Sequence, residues 1–233
     1  MIIAVVGAGG KTTVSHIIGK RLAGMGRKVL FTTTTKILMP PFGEVYLGEP
    51  DCIKADASFL VAARRLLDHQ KLKGYSPEDI QTISGLHLFD DIVVEADGAN
   101  RKPIKIPNDT EPVYPPDVDL IIGVIGLDSL GQPLSDDVVH RKELFAAVTG
   151  ASLDESITIS HALSLINHPG GLFKSAPASV PKVVFLNKCD TINSEVKKQV
   201  QSMARLSSYP ILVTGYNVDW FEEFYRRYIG VDT

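Results

Sequence analysis

The chain has 233 residues and a formal net charge of −3 at pH 7, so it has no basic surplus for binding a nucleic-acid backbone. Its two cysteines, Cys52 and Cys189, are too few for a disulfide framework or a cysteine-based zinc site. The apolar runs are too short to cross a bilayer and no basic leader is visible, so we expect a cytoplasmic protein that binds neither membranes nor nucleic acid.

A glycine-rich loop follows the first predicted strand. Residues 2–6 are apolar, residues 7–13 read Gly-Ala-Gly-Gly-Lys-Thr-Thr, and a helical pattern of apolar residues continues to about residue 25. Because glycine has no Cβ, this backbone can pass close to an oxyanion and direct N–H groups at it from the start of a helix. We therefore predict a phosphate-binding loop.

Lys11 and Thr12 are the chemical groups of this loop. We predict that Lys11 is directed at phosphates rather than into the core and assists catalysis, and that the Thr12 hydroxyl ligates Mg²⁺. The loop is shorter than a usual P-loop, because Val5 stands where its first glycine would be. Its form resembles the nucleotide loop of the Mur ligases and folylpolyglutamate synthetases, which use ATP. The predicted nucleotide contacts here are Gly7, Gly9, Gly10, Lys11, Thr12 and Thr13.

Two further predicted strands end in oxygen-bearing side chains. Residues 28–34 lead into a run of four threonines at residues 32–35, which includes Thr34, and residues 92–94 lead into Glu95 and Asp97. Ligands of a parallel sheet lie at the carboxyl ends of its strands, and an acid delivered there is the Walker B arrangement. The alternatives are that the threonines are ordinary strand formers and that the acids are cap or turn residues. The predicted Mg²⁺ ligands are Thr12, Thr34, Glu95 and Asp97, and Asp97 is also a predicted catalytic residue.

The rest of the chain contains predicted helices and one long loop. Prolines within about residues 98–117 predict a stiff, ordered segment that covers an active site. The predicted helices cover residues 59–67, residues 77–84, a segment from about Asp136 that carries His140 and Arg141 on its first turns, a segment from a Ser160 cap to Ile166, residues 191–208 and residues 219–228.

A second motif follows the apolar strand at residues 182–186. Asn187, Lys188 and Asp190 stand as Asn-Lys-x-Asp, which resembles the base-recognition motif of GTPases. The Asp190 carboxylate can accept hydrogen bonds from the ring N–H and the amine of guanine, whereas adenine presents an acceptor at the equivalent ring nitrogen. The Lys188 stem can lie over the base, and Asn187 can tie the motif to the glycine loop. The alternative is a strand-end turn without a ligand.

Strands and helices alternate throughout the chain. This alternation predicts an α/β fold with a mostly parallel sheet and helices on both faces, in a single P-loop NTPase-like domain.

Several motifs in chain order resemble the YqeC family. That resemblance implies a nucleotide-dependent accessory protein that matures a selenium-dependent molybdenum hydroxylase or its cofactor. The segment with Glu95 and Asp97 is also similar in placement to the switch of metallochaperone GTPases. The motifs that carry the family resemblance are residues 7–13, 32–37, 93–99, 102–105, 111–113, 126–128, 139–141 and 187–190.

Three functional hypotheses stay open from the sequence. The first is a Mg²⁺-dependent GTP-binding maturation protein that hydrolyses GTP slowly, which would make it a nucleoside triphosphatase. The second is an ATP-dependent ligase or small-molecule kinase. The third is a nucleotide-binding module without turnover, because the sequence offers no clear residue to position the attacking water. In each case a nucleoside triphosphate is the expected ligand, and the implied protein partner is a molybdenum hydroxylase or one of its maturation proteins.

Overall fold

The apolar segments of the chain form a main sheet of eight strands in the structure, a computed structural model that describes residues 1–203 and 205–230. Two smaller sheets contain the remaining strands of the described residues. In chain order, the strands of all three sheets are β1 (Ile2–Gly7), β2 (Val29–Thr33), β3 (Lys36–Leu38), β4 (Glu44–Leu47), β5 (Phe59–Ala63), β6 (Arg65–Leu67), β7 (Lys71–Lys73), β8 (Asp91–Glu95), β9 (Ile104–Lys105), β10 (Leu120–Gly126), β11 (Val139–His140), β12 (Lys182–Asn187) and β13 (Ile211–Val213). The helices are α1 (Lys11–Gly24), α2 (Pro77–Gly85), α3 (Lys142–Thr149), α4 (Ile159–Asn167), α5 (Ser194–Met203) and α6 (Phe221–Tyr228).

The main sheet has the strand order β13-β12-β10-β1-β8-β2-β5-β4. The pairings β1–β8, β8–β2, β2–β5, β5–β4 and β12–β13 are all parallel. Strands buried on both faces favour continuous apolar runs, and β1, β2, β8 and β10 are buried along their whole length. The predicted α/β fold with a mostly parallel sheet flanked by helices is therefore confirmed.

The chain divides into two compact units, and the prediction of a single domain stays a prediction. The first unit consists of Met1–Val5, Lys11–Gly98 and Val113–Ile121. In it, α1 packs against β2, β5 and β8, and a small antiparallel sheet has the order β3-β7-β6. Helix α2 begins with a capping box, in which the Ser76 hydroxyl accepts from the Asp79 N–H and the Asp79 carboxylate accepts from the Ser76 N–H.

The second unit consists of Val6–Gly10, Ala99–Pro112 and the chain from Ile122 onward. Strand β9 lies in the segment predicted as a long loop. It pairs in parallel with β11, which comes later in the chain. Two aromatic residues at the start of and within α6 pack on the sheet: the ring centroid of Phe185 lies 5.2 Å from that of the N-cap Trp220 and 5.4 Å from that of Phe224.

Residues 59–67 form two strands, and the predicted helix there is wrong. The apolar residues fit a helical spacing, but β5 is a nearly fully buried strand between β2 and β4. A short, uninterrupted apolar run is compatible with either structure, and pairing with neighbouring strands decides between them.

Two helix starts also differ from the prediction. Helix α3 begins at Lys142 instead of near Asp136, because His140 ends β11 and Arg141 is the N-cap with φ 70°. Helix α4 has Thr158 as its N-cap in place of Ser160, since the Thr158 hydroxyl accepts from the His161 N–H. Helix α5, Ser194–Met203, is shorter than the predicted residues 191–208; residue 204 lies outside the described residues.

Candidate functional site

In the first unit, Lys11 and Asp97 form a buried ion pair. Lys11 is the first residue of α1, and Asp97 follows β8 by two residues. The Lys11 Nζ lies 3.1 Å from the Asp97 Oδ1, and the side chains are 4% and 1% exposed. The Lys11 side chain is therefore buried against Asp97, and its contact with phosphate stays a prediction. Ions this deeply buried lose most of their hydration, so each depends on the other for charge compensation.

Glu95 adds a second carboxylate to this buried group. It ends β8 and is 3% exposed, and the parallel register sets it beside Thr33 of β2. Burial raises the pKa of Glu95, and the charge of Asp97 acts in the same direction, while the Lys11 charge and a hydrogen bond with the Thr12 side chain oppose the rise. Two carboxylates thus share one lysine, which is the charge balance that a divalent cation corrects.

The residues present fit a magnesium ion in one further respect. Within the described residues, the Glu95 Oε1 is buried and has no hydrogen-bond partner. A buried carboxylate oxygen without a partner is costly, and coordination to a hard cation satisfies it. The donor set of carboxylate and hydroxyl oxygens on Glu95, Asp97 and Thr12 is the chemistry that Mg²⁺ prefers.

The threonine hydroxyls at the end of β2 are hydrogen-bonded to backbone. The Thr32 Oγ1 donates to the Ala62 carbonyl at 2.7 Å, and the Thr33 Oγ1 donates to the Glu95 carbonyl at 2.7 Å. The Thr34 Oγ1 donates to the carbonyl of residue 113 at 2.8 Å. These bonds join neighbouring segments, and the Thr33 Oγ1 also accepts from the Thr35 N–H at 3.0 Å. The role of Thr34 as a Mg²⁺ ligand stays a prediction.

In the second unit, the glycine loop is held by backbone contacts. The Ala8 N–H donates to the Val124 carbonyl at 2.9 Å, and the Gly9 N–H donates to the Lys102 carbonyl at 3.2 Å. Gly9 has φ +86°, and a Cβ there would lie 2.2 Å from the Gly126 nitrogen, so only glycine fits. Two amides of the predicted phosphate cradle therefore already bind protein carbonyls, and phosphate donors must come from other positions of the loop.

Asn187 joins the end of β12 to that loop. Its Nδ2 donates to the Gly9 carbonyl at 2.9 Å, and its Oδ1 accepts from the Thr214 Oγ1 at 3.0 Å. Both residues are buried. The contact between Asn187 and the loop is the one that the sequence motif leads us to expect, while its part in nucleotide binding stays a prediction.

Lys188 and Asp190 have partners of their own. The Lys188 Nζ lies 2.6 Å from the Asp128 Oδ2. The Asp190 Oδ2 accepts from the Tyr216 N–H at 2.8 Å, and its Oδ1 accepts from the Asn217 N–H at 3.4 Å. A carboxylate has about four lone-pair positions, so the exposed Asp190 keeps the capacity to accept from a base as well. The same bonds also fit the strand-end turn that the sequence left as the alternative.

Comparison with known proteins places these residues in a family. A family model described as YqeC protein matches residues 3–143. A relative from Escherichia coli (strain K12), described as uncharacterized protein YqeC, is 34% identical over 194 residues, which cover 80% of this chain and 75% of the relative. The chain belongs to the YqeC family. No solved structure matches the chain.

The residues that match the YqeC family model include one of the two candidate sites and not the other. Lys11, Glu95 and Asp97 lie inside the matched residues 3–143, whereas Asn187 and Asp190 lie after them. The family model thus covers the buried ion pair and does not extend to the predicted base-recognition motif.

Sequence reasoning about this YqeC protein did not single out two of the polar partners. Thr214 belongs to none of the sequence motifs, and Asp128 entered only as part of the family motif at residues 126–128. Each lies more than 25 residues from its partner in the chain, as the Thr214–Asn187 and Lys188–Asp128 bonds show, so no local spacing could have paired them.

Membrane-spanning helices and clusters of metal-binding side chains are both absent from the described residues. Within residues 1–203 and 205–230, no helix has the length and apolar character of a membrane span. In the same residues, no group of three or more His, Cys, Asp or Glu side chains is arranged to hold a metal ion. Nucleotide-bound Mg²⁺ is usually held by one or two carboxylates together with phosphate oxygens, so the donors proposed here form a partial set.

Proposed function

We propose that this YqeC-family protein binds a nucleoside triphosphate together with Mg²⁺. The observation that carries the proposal is the buried Lys11–Asp97 pair, with Glu95 beside it, at the start of α1 and the carboxyl end of β8. A lysine after a glycine loop and an acid after a parallel strand are the two charged parts that phosphate and magnesium binding require.

The internal ion pair is exchanged for two external ones in the proposed complex. Lys11 donates to phosphate oxygens in place of Asp97, and Asp97 contributes its carboxylate to the Mg²⁺ shell in place of Lys11. Glu95 would supply its Oε1 to the same shell, directly or through water, and the Thr12 hydroxyl would be a further ligand. Both buried charges stay compensated throughout the exchange, which avoids the cost of leaving either ion unpaired.

Guanine is the base that the second unit favours. The Asp190 carboxylate accepts from two guanine donors, Lys188 lies over the ring, and Asn187 holds the motif to the glycine loop through Gly9. Adenine would place an acceptor against the carboxylate. GTP is therefore the proposed nucleotide, with slow hydrolysis as the associated activity.

A role in maturation of a selenium-dependent molybdenum hydroxylase or its cofactor is part of the same proposal. It rests on the family resemblance, and a nucleotide-dependent change of state in the segment after Glu95 is the physical means by which such a protein would regulate delivery.

The second candidate function is an ATP-dependent ligase or small-molecule kinase. One observation favours it: in the second unit, the buried Lys105 and the partly exposed Arg141 form a cationic group that is suited to an acidic acceptor. Base preference separates the two candidates.

The test is competition of GTP, ATP and CTP against a fluorescent GTP analogue, with and without Mg²⁺, on the full chain. We expect Mg²⁺-dependent binding in which GTP competes at about ten-fold lower concentration than ATP, since one mismatched buried hydrogen bond costs about 1.4 kcal/mol or more. Preference for ATP would transfer the proposal to the ligase or kinase. Absence of binding by all three would overturn it.

A further inference from the structure

A second charged group, built around the buried Lys105, lies wholly within the second unit. The Glu111 Oε2 is 2.8 Å from the Lys105 Nζ and 2.9 Å from the Arg141 Nη2. The Lys105 side chain is 1% exposed, whereas those of Glu111 and Arg141 are 16% and 20% exposed. One carboxylate oxygen thus serves two cations, and one edge of the group reaches the surface.

The short ladder between β9 and β11 brings these residues together. Lys105 pairs with His140 in the parallel register, so the residues that follow, Ile106 and Arg141, emerge side by side. The Arg141 Nη1 donates to the Ile106 carbonyl at 3.0 Å. This bond fixes the guanidinium against the end of β9 while its other nitrogen holds Glu111.

The group carries an excess of positive charge. Lys105 and Arg141 contribute two positive charges against the single negative charge of Glu111. Burial by itself would raise the pKa of Glu111, but hydrogen bonds and charge from Lys105 and Arg141 outweigh it, so the pKa lies below its ordinary value. The attraction of the Glu111 carboxylate to the two cations therefore outweighs the cost of removing this carboxylate from water.

Stability alone does not account for such a group. Replacing buried ions by apolar residues of similar volume is often neutral or stabilising, because the desolvation cost of the ions disappears. The backbone adds to the cost, since Arg141 has φ 70° and ψ 59°, a left-handed conformation that is unfavourable for a non-glycine residue. Arg141 is also the N-cap of α3, and its side chain makes no capping hydrogen bond there. The positive end of the α3 dipole therefore lies next to Arg141.

We propose that Lys105 and Arg141 bind the oxyanion group, a carboxylate or phosphate, of a small-molecule ligand, and that Glu111 is the internal counter-ion which this group displaces. The guanidinium fork suits a planar carboxylate or two phosphate oxygens, and Lys105 adds a point charge behind it. The site uses none of the residues proposed to bind Mg²⁺ and phosphate, and it does not depend on nucleotide binding.

The experiment uses the full chain in a Lys11→Ala, Asp97→Asn background, which removes the proposed nucleotide site without leaving a lone buried charge. Inorganic phosphate and acetate are titrated at matched ionic strength and followed by calorimetry. Glu111→Gln removes the internal competitor, Arg141→Lys keeps the charge and removes the fork, and Lys174→Gln is the matched control. Lys174 is a lysine that also contacts this segment, through the Asn108 carbonyl and the fully exposed carboxylate of Asp109.

We expect Glu111→Gln to bind the anion about ten-fold more tightly, Arg141→Lys to bind it about ten-fold more weakly, and Lys174→Gln to match the background. Tighter binding of phosphate than of acetate identifies a phosphate ester as the ligand class, and the reverse identifies a carboxylate.

Unchanged affinity in Arg141→Lys overturns the proposal. Failure of both anions to bind the background protein and the Glu111→Gln protein also overturns it, whatever the nucleotide experiments show. If Glu111→Gln does not fold in buffer, stabilisation by phosphate but not by chloride supports the site, and equal effects of the two salts contradict it.

Discussion

The Lys11 ammonium and the Asp97 carboxylate lie 3.1 Å apart and almost completely out of solvent. Lys11→Ala should therefore have two effects: loss of nucleotide binding, and a fall in the free energy of unfolding of about 3–5 kcal/mol, because Asp97 loses its counter-ion. Nucleotide titration and urea unfolding measure them separately.

Two further variants separate stability from binding at this pair. Lys11→Ala combined with Asp97→Asn should recover part of the stability, since no lone buried charge is left, without recovering nucleotide binding. Lys20→Ala changes an exposed lysine of the same helix and should behave as the parent protein. Tight nucleotide binding by Lys11→Ala would contradict the phosphate role.

Thr12 tests the magnesium shell. Thr12→Ala removes the proposed hydroxyl ligand and the side chain that is hydrogen-bonded to Glu95, so nucleotide affinity should fall by about ten-fold in Mg²⁺ and little in EDTA. Thr12→Ser keeps the hydroxyl and should restore binding. An equal loss in both conditions would show that Thr12 acts on the fold instead.

Asn187 tests the link between β12 and the glycine loop. Asn187→Ala leaves the Gly9 carbonyl and the Thr214 hydroxyl without their buried partner, at a cost of about 1–3 kcal/mol in unfolding free energy. Thr214→Val is the matched control, because it removes only the second bond. We expect nucleotide affinity to fall in Asn187→Ala and to stay near the parent value in Thr214→Val. Equal losses would assign Asn187 a purely structural role.

Asp190→Asn tests base recognition. The new amide points a donor at a guanine donor, which should weaken GTP binding by about ten-fold to a hundred-fold. Xanthine carries a carbonyl where guanine has its amine, so XTP binding should improve. Glu195→Gln removes the same charge from an exposed residue of α5 and is the control. If competition shows GTP affinity unchanged and no gain for XTP, residues 187–190 are only a strand-end turn.

Glu111 predicts how stability depends on pH. Its pKa is lower in the folded protein than its ordinary value of 4.5, so its pairing with Lys105 and Arg141 stabilises the fold fully above that value. This contribution is lost as the pH falls through the folded pKa, because the proton competes with the two cations. Urea unfolding of the parent and of Glu111→Gln should therefore differ most near neutral pH and converge in acid. A constant difference from neutral pH to about pH 3 would contradict the assignment.

Local patterns predicted those elements in which one period or one motif was sufficient. The apolar run of β1, the glycines after it and the helical spacing of α1 all agree, so this segment was predicted to within a residue at its helix start. Residues 59–63 failed because a buried strand and one face of a helix can share the same apolar residues. Arg141 was misplaced because its left-handed backbone ends β11 and starts α3, and neither element is long enough to show a period.

The sequence by itself determined which groups are available: a lysine and a threonine after a glycine loop, two acids after a buried strand, and an Asn-Lys-x-Asp motif after another. Only the tertiary structure decided what each group contacts. Lys11 and Asp97 lie far apart in the chain. Parallel pairing of β1 with β8 brings together the strand ends that precede them. The Lys105–Glu111–Arg141 group arises in the same way from the β9–β11 ladder. Such contacts depend on which strands become neighbours, and that choice is made by burial of the whole core rather than by any local pattern.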